Sequence, residues 1–197
     1  MEKNELLEKL VLPDVPEDVQ IAMMDSPDAP ELLKVFLSNR HGDGWLTEKT
    51  ERYMVNCPNA EKLLEVYLLA FCFDLSEVME EEIITQHKPW TINVLMDANV
   101  PVSLNNELLL LKGKYSVDEL SRYMELVKDT ENVLSEEWEV QLLKHKDAEE
   151  LLGKYVSLFG KLQKKAEKAI LSKKDDDKLK KVYQAAIEEK SKGKKKE

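Results

Sequence analysis

Glycine and proline are scarce, at 6 and 7 residues in a chain of 197. A β-rich fold needs many of both at its tight turns, and no strand-like alternation of useful length compensates. Cysteine is rarer still. Cys57 and Cys72 alone make no disulfide framework and read as free thiols in a reducing compartment. Met1–Leu12 is polar and has no apolar core of a signal peptide. No apolar run approaches the roughly 20 residues that span a bilayer; the longest candidate, Leu63–Leu75, is interrupted by Glu65 and Asp74. A cytoplasmic protein without a membrane partner is the expectation.

Metal and catalytic signatures are also missing. None of His41, His87 and His145 lies three to five residues from another histidine or cysteine, so zinc spacing is absent. His145 falls in a turn, where a solvated ring is the simple reading. Asp175-Asp176-Asp177 lacks the ligand spacing and glycine of a calcium loop; acids opening a helix explain it better. No phosphate-binding glycine loop, nucleophile elbow or kinase signature occurs. A catalytic thiol at Cys57 would need a base beside it, and a small packing residue is the simpler reading. Cys72, between Phe71 and Phe73, reads as core. The expectation is a non-enzyme without cofactor or metal.

What the chain has in quantity is charge. Charged residues make up 35% and apolar ones 43%, which suits a helical protein with a large wetted surface. The charge is unevenly placed. Residues 161–197 hold 14 lysines against 7 acids, whereas the rest carries a net −17 out of the total of −10.

The chain also repeats itself. Leu134–Val156, LSEEWEVQLLKHKDAEELLGKYV, lies without a gap over Leu46–Leu68 and over Val15–Leu37. Val15, Leu46 and Leu134 open the units, and the acids Glu17, Glu48 and Glu136 follow. Later come Leu32-Leu33, Leu63-Leu64 and Leu151-Leu152, and an aromatic (Phe36, Tyr67, Tyr155) closes each. Leu75–Asp97 and Leu104–Glu125 are weaker copies. Unit starts at 15, 46, 75, 104 and 134 give steps of 29 to 31 residues. One unit reads as two short antiparallel helices. Thr47, Ser76 and Ser135 stand as N-caps of first helices, and Asp28, Asn59 and Asp147 as N-caps of second helices. Apolar positions at i, i+3 and i+4 give each helix one buried stripe, which a lone hairpin cannot cover.

This pattern resembles the HEAT/armadillo-like superfamily in architecture. It is more similar to a class of uncharacterised bacterial short-helix repeat proteins, whose units read roughly L-S-E-x-x-E-x-x-L-L, a turn, then D/N-A-E-L-L-x-x-Y-I/V. The resemblance covers Val15 to Val156, and the units are shorter than typical HEAT units. It implies a scaffold or binding surface and transfers no catalytic residue.

The expected fold is all-α: an α-solenoid of about five degenerate helical-hairpin repeats with terminal capping helices. Residues 1–14 form an N-terminal half-repeat and 15–157 the array. Residues 158–189 form a capping hairpin and 190–197 a disordered lysine-rich tail. Breaks are expected at His41-Gly42-Asp43-Gly44-Trp45, where two glycines suit a flexible turn, and at Asp97–Pro101.

Three tryptophans separate by position. Trp138 falls in a mostly apolar column with Val19, Thr50, Met79 and Leu108, so it belongs to the core. Trp45 covers a joint. Trp90 stands where other units carry the acids Glu61 and Glu149, which makes it a candidate contact residue; repacking around Pro89 explains it equally well. Glu80, Glu81 and Glu82 read as a solvated face with a possible contact to a partner. The leading functional expectation is a protein- or peptide-binding scaffold. Its acidic body would favour a basic partner, with Trp90, Glu80, Glu81 and Glu82 as candidate partner-binding residues. The alternative is nonspecific nucleic-acid association through the basic C-terminal segment. That segment has no arginine and no aromatic interleaving beyond Tyr183.

Overall fold

A computed structural model describes residues 2–39, 46–70, 75–98, 102–130, 132–175 and 177–193. The joint at His41–Trp45, Cys72 with Phe71 and Phe73, residues 99–101, Asp176 and residues 194–197 lie outside the described residues. Among the described residues there are thirteen α-helices and no strand, so the protein is all-α.

The chain divides into two compact units, residues 1–98 and 99–197. The division falls inside the break expected at Asp97–Pro101. The first unit holds α1 (Lys3–Leu10), α2 (Glu17–Met24), α3 (Ala29–Ser38), α4 (Glu48–Asn56), α5 (Ala60–Ala70), α6 (Glu77–Gln86) and α7 (Thr91–Asp97). Helix α2 packs on α4, and α4 on α6. Helix α1 packs on α3, α3 on α5, and α5 on α7. The second unit holds α8 (Leu104–Lys112), α9 (Val117–Asp129), α10 (Glu136–Leu142), α11 (Ala148–Phe159), α12 (Lys164–Leu171) and α13 (Lys178–Gly193). There α10 packs on α8 and α12, and α11 on α9 and α13. Within each unit, therefore, first helices rest on first helices and second helices on second.

Side-chain oxygens start the first helices as their sequence demands. Thr47 accepts from the Thr50 amide, Ser76 from Met79 and Ser135 from Trp138. Ser116 and Glu119 form a full capping box at α9. The second helices begin differently from expectation. Asp28 and Asp147 precede α3 and α11 but cap nothing with their side chains. In these tight turns the bonding runs backwards: the Asp28 amide donates to Ser26 Oγ, and the Asp147 amide to His145 Nδ1. The His145 side chain, 7% exposed, is thus a buried acceptor rather than a solvated ring. Asn59 turns its amide onto the carbonyls of Met24 and Ser26 and so ties the α4–α5 turn to the end of α2.

The repeated leucines share one environment. Leu32, Leu63 and Leu151 all have zero exposure, as do Leu33, Leu64 and Leu152 beside them. Phe36 and Tyr155 are buried above them, and Trp138 is fully buried. Helix α13 runs through Lys190 to Gly193, beyond the helix end expected at Glu189. Lys190 explains the extension: its Nζ donates to the carbonyls of Val156 and Ser157, at 3.2 and 2.9 Å, in the last turn of α11.

Replacing Leu32, Leu63 or Leu151 singly by alanine should lower the unfolding free energy by about 2–5 kcal/mol each. Urea denaturation of the three variants checks this. A loss near zero at any one would show that its side chain is not part of a packed core.

Candidate interaction site

The acids expected on one wetted face divide between two environments. Glu80 points inward and is 8% exposed. Its carboxyl is therefore turned towards the helix packing rather than onto the wetted face expected for all three acids. Glu81 is exposed and Glu82 half-buried. Both face Arg52 on the neighbouring α4: Nη1 donates to Glu82 at 2.8 Å, and Nη2 approaches Glu81 at 3.4 Å and Glu48 at 3.2 Å. Glu82 also accepts from Asn56 at 2.8 Å and Gln86 at 3.0 Å. Burial works against its ionisation, but the bonds from Asn56, Gln86 and Arg52 outweigh it and hold its pKa below the ordinary value. One guanidinium therefore gathers three carboxylates, and part of the acidic face is already neutralised.

Trp90 is half-buried and occupies the N-cap of α7, the position held by Asp28 before α3 and Asp147 before α11. It does not stand in the register of Glu61 and Glu149. Helix α6 runs to Gln86 and is stopped by His87, which adopts a left-handed conformation with φ 47°. The longer helix and its turn shift the following residues. Thr91 fills the buried place of Ala29 and Ala60, and its Oγ1 reaches the Ile83 carbonyl at 3.2 Å. No hydrogen bond or ring contact joins Trp90 to the acids of α6 among the described residues.

The inward position of Glu80 belongs to a larger pattern that the sequence reading passed over. One turn inside the N-cap of each first helix stands Gln20, Glu51, Glu80, Glu107, Glu139 or Glu167. Most of these side chains reach the start of the next first helix. Thr50 Oγ1 donates to Gln20 at 2.9 Å, and Ser76 Oγ to Glu51 at 2.8 Å. The Ser135 amide donates to Glu107 at 3.1 Å, and the Gln163 amide to Glu139 at 2.7 Å. A carboxylate there meets unpaired N–H groups and the positive end of the helix dipole. Ser76 serves both sides, since its hydroxyl accepts from Met79 and donates to Glu51. Glu139 is the most enclosed, with zero exposure, and Tyr155 and the Gln163 side chain also donate to it. The same 16-residue step links Glu167 to Tyr183, whose hydroxyl lies at 2.8 Å. The signal was present as the second acid of L-S-E-x-x-E; its partner in the following unit was not.

Other sequence candidates find plain roles. Cys57 is buried, donates its thiol hydrogen to the Met54 carbonyl, and burial pushes its pKa up. Asp177 accepts from the Lys180 amide at the start of α13, and Asp175 pairs with the Lys180 ammonium at 2.6 Å, as acids opening a helix should. Among the described residues no group of His, Cys, Asp and Glu could hold a metal ion, and no helix is long and apolar enough to cross a membrane.

Burial is the main cause that raises the pKa of Glu51, Glu107 and Glu139. A carboxyl that is easier to protonate folded than unfolded stabilises the fold below its ordinary value of 4.5. That contribution is lost as pH rises through the folded pKa. Glu139→Gln should therefore cost about 1–3 kcal/mol in acid, because one acceptor oxygen is lost. The gap between variant and wild type should then narrow as pH rises above 4.5. Urea titrations at several pH values check this, and a gap independent of pH would refute the raised pKa.

No protein-family model matches the chain, and no curated protein or solved structure matches it either.

Proposed function

We propose that the chain is a non-catalytic protein- or peptide-binding scaffold. In this reading the paired helices form a short α-solenoid, and its acidic surface receives a basic partner. One observation carries it. The same joint, a buried or half-buried side-chain oxygen against the start of the following first helix, recurs at Gln20, Glu51, Glu107 and Glu139. Within each unit, a pair depends on its neighbour for its buried surface and for its polar satisfaction. Such stacking makes extended surfaces rather than enclosed pockets, and extended surfaces suit peptides and proteins.

The chemistry of the buried polar groups supports the same view. Glu107 and Glu139 are committed to the starts of helices, and Tyr155 to Glu139. The Cys57 thiol is bonded to a carbonyl and pushed away from ionisation, so it is a poor nucleophile. The outward groups are the ones free to recognise. Glu81 is exposed at the edge of the Arg52 cluster, and Trp90 is partly exposed at the adjacent turn.

An oligolysine peptide titrated into the full chain tests the proposal. The expected result is saturable binding that weakens severalfold between roughly 50 and 200 mM salt. Trp90→Ala should weaken it about tenfold, the scale of a loss above 1 kcal/mol. Arg52→Ala should strengthen it, because Glu48, Glu81 and Glu82 lose their internal counter-ion. Affinity indifferent to salt and to both substitutions would refute the basic-partner reading.

A further inference from the structure

The outer face of α12 keeps the chemistry of an internal joint, while the helices packed on α12 among the described residues are α10 and α13. Two turns past the N-cap, the first helices place Met24, Val55, Ile84, Leu111 and Leu143, none more than 8% exposed. The counterpart in α12 is Leu171, at 45%. Leu171 lines an open groove of about 460 Å³ with Ile187, Tyr183, Lys161 and Glu167. Glu167 is the last member of the acid row. Its Oε1 accepts from Tyr183, while Oε2 has no hydrogen-bond partner among the described residues.

Charge at this end is reversed. The first helical residue is Glu17, Glu48, Glu77 and Glu136 in α2, α4, α6 and α10, but Lys164 in α12. Lys161, Lys164 and Lys168 are exposed and form no ion pair among the described residues. The second-helix side is finished for water. Gln184, following Tyr183, is exposed where Leu37, Leu68 and Val156 follow Phe36, Tyr67 and Tyr155 and are buried. The uncovered strip therefore runs along α12, beside Ile187 of α13.

We propose that this strip docks an acidic amphipathic helix of another protein, with a serine or threonine at its N-cap. The hydroxyl would donate to Glu167 as Ser76 donates to Glu51. Apolar residues would cover Leu171 and Ile187, and acids in the first turns would meet Lys161, Lys164 and Lys168. The chain's own start does not fit. Pro16 at the N-cap of α2 has no N–H or hydroxyl to give, and α1 already covers α2 and α3 with Leu6 and Leu10 buried. The strip is built from α12 and α13 and the Trp90 turn from α6 and α7, with no residue in common, so it stands or falls independently of the basic-partner reading.

The test uses the full chain and a labelled synthetic peptide that opens Ser-Glu-Glu and carries leucines at helical spacing. Its lysine-for-glutamate counterpart and a single-stranded DNA oligonucleotide serve as comparisons, with anisotropy as the readout. Saturable binding of the acidic peptide is expected, weakened about tenfold by Leu171→Glu and similarly by the double change Lys164→Glu with Lys168→Glu. Circular dichroism confirms folding; if Leu171→Glu loses helix, the double variant decides. The proposal is overturned by equal binding of the lysine peptide, by oligonucleotide binding as tight as the peptide's and indifferent to Leu171, or by no saturable binding. Sedimentation showing a dimer that Leu171→Glu abolishes would also overturn it, since the occupant would then be a second copy. Oligolysine binding should be unchanged by Leu171→Glu.

Discussion

A carboxylate held one turn inside one helix, against the opening turn of the next, is the contact on which the stacking in each unit depends. Apolar burial brings helices together but is non-directional, and leucines tolerate sliding. A buried acid does not tolerate it. Glu139 with zero exposure would be costly without its partners, and the Gln163 amide, the Gln163 side chain and Tyr155 supply them only at one register. Glu107 against the Ser135 amide imposes the same condition one step earlier. The joint thus adds position to an attraction that lacks it.

The row is graded along the chain. It opens with neutral Gln20, which bonds Thr50 and the Val15 carbonyl, where α2 begins at a proline and offers no donor. It passes through half-buried Glu51 to fully enclosed Glu139, then ends at half-buried Glu167, whose hydrogen-bond partner among the described residues is Tyr183. Outside the row, longer side chains tie the same neighbours at the surface. Arg52 joins α4 to α6, Lys49 joins α4 to Glu17 of α2, and Lys165 joins α12 to Glu137 of α10. Exposed pairs of this kind are worth roughly 0–1 kcal/mol each. They tune surface charge more than they hold the fold, which is why the Arg52 cluster can belong to a binding face without the stacking depending on it.

The turns carry the second constraint. Ser26 and His145 each accept the amide two residues on, and Asn59 reaches back to the carbonyls ending α2. Where the turn differs, so does function's raw material: His87 takes a left-handed conformation, α6 lengthens, and Trp90 comes to the helix start. An aromatic at an N-cap contributes no cap bond, and Trp90 makes none.

Helix content, the pairing of helices and most of the core were legible without coordinates, because they rest on local properties. Period, N-cap hydroxyls and apolar spacing act within a few residues, and Leu32, Leu63, Leu151 and Trp138 lie where that spacing places them. The sequence by itself also determined the acidic body and basic end, which depend on composition alone. Only the tertiary structure decided what each acid does. Glu80 and Glu81 are neighbours in the chain, yet one is buried and the other exposed, because successive residues on a helix face different sides. Which side meets another helix, and whether a donor waits there, is a relation between segments some thirty residues apart. No local pattern encodes it, and it separates a structural carboxylate from one left free to bind.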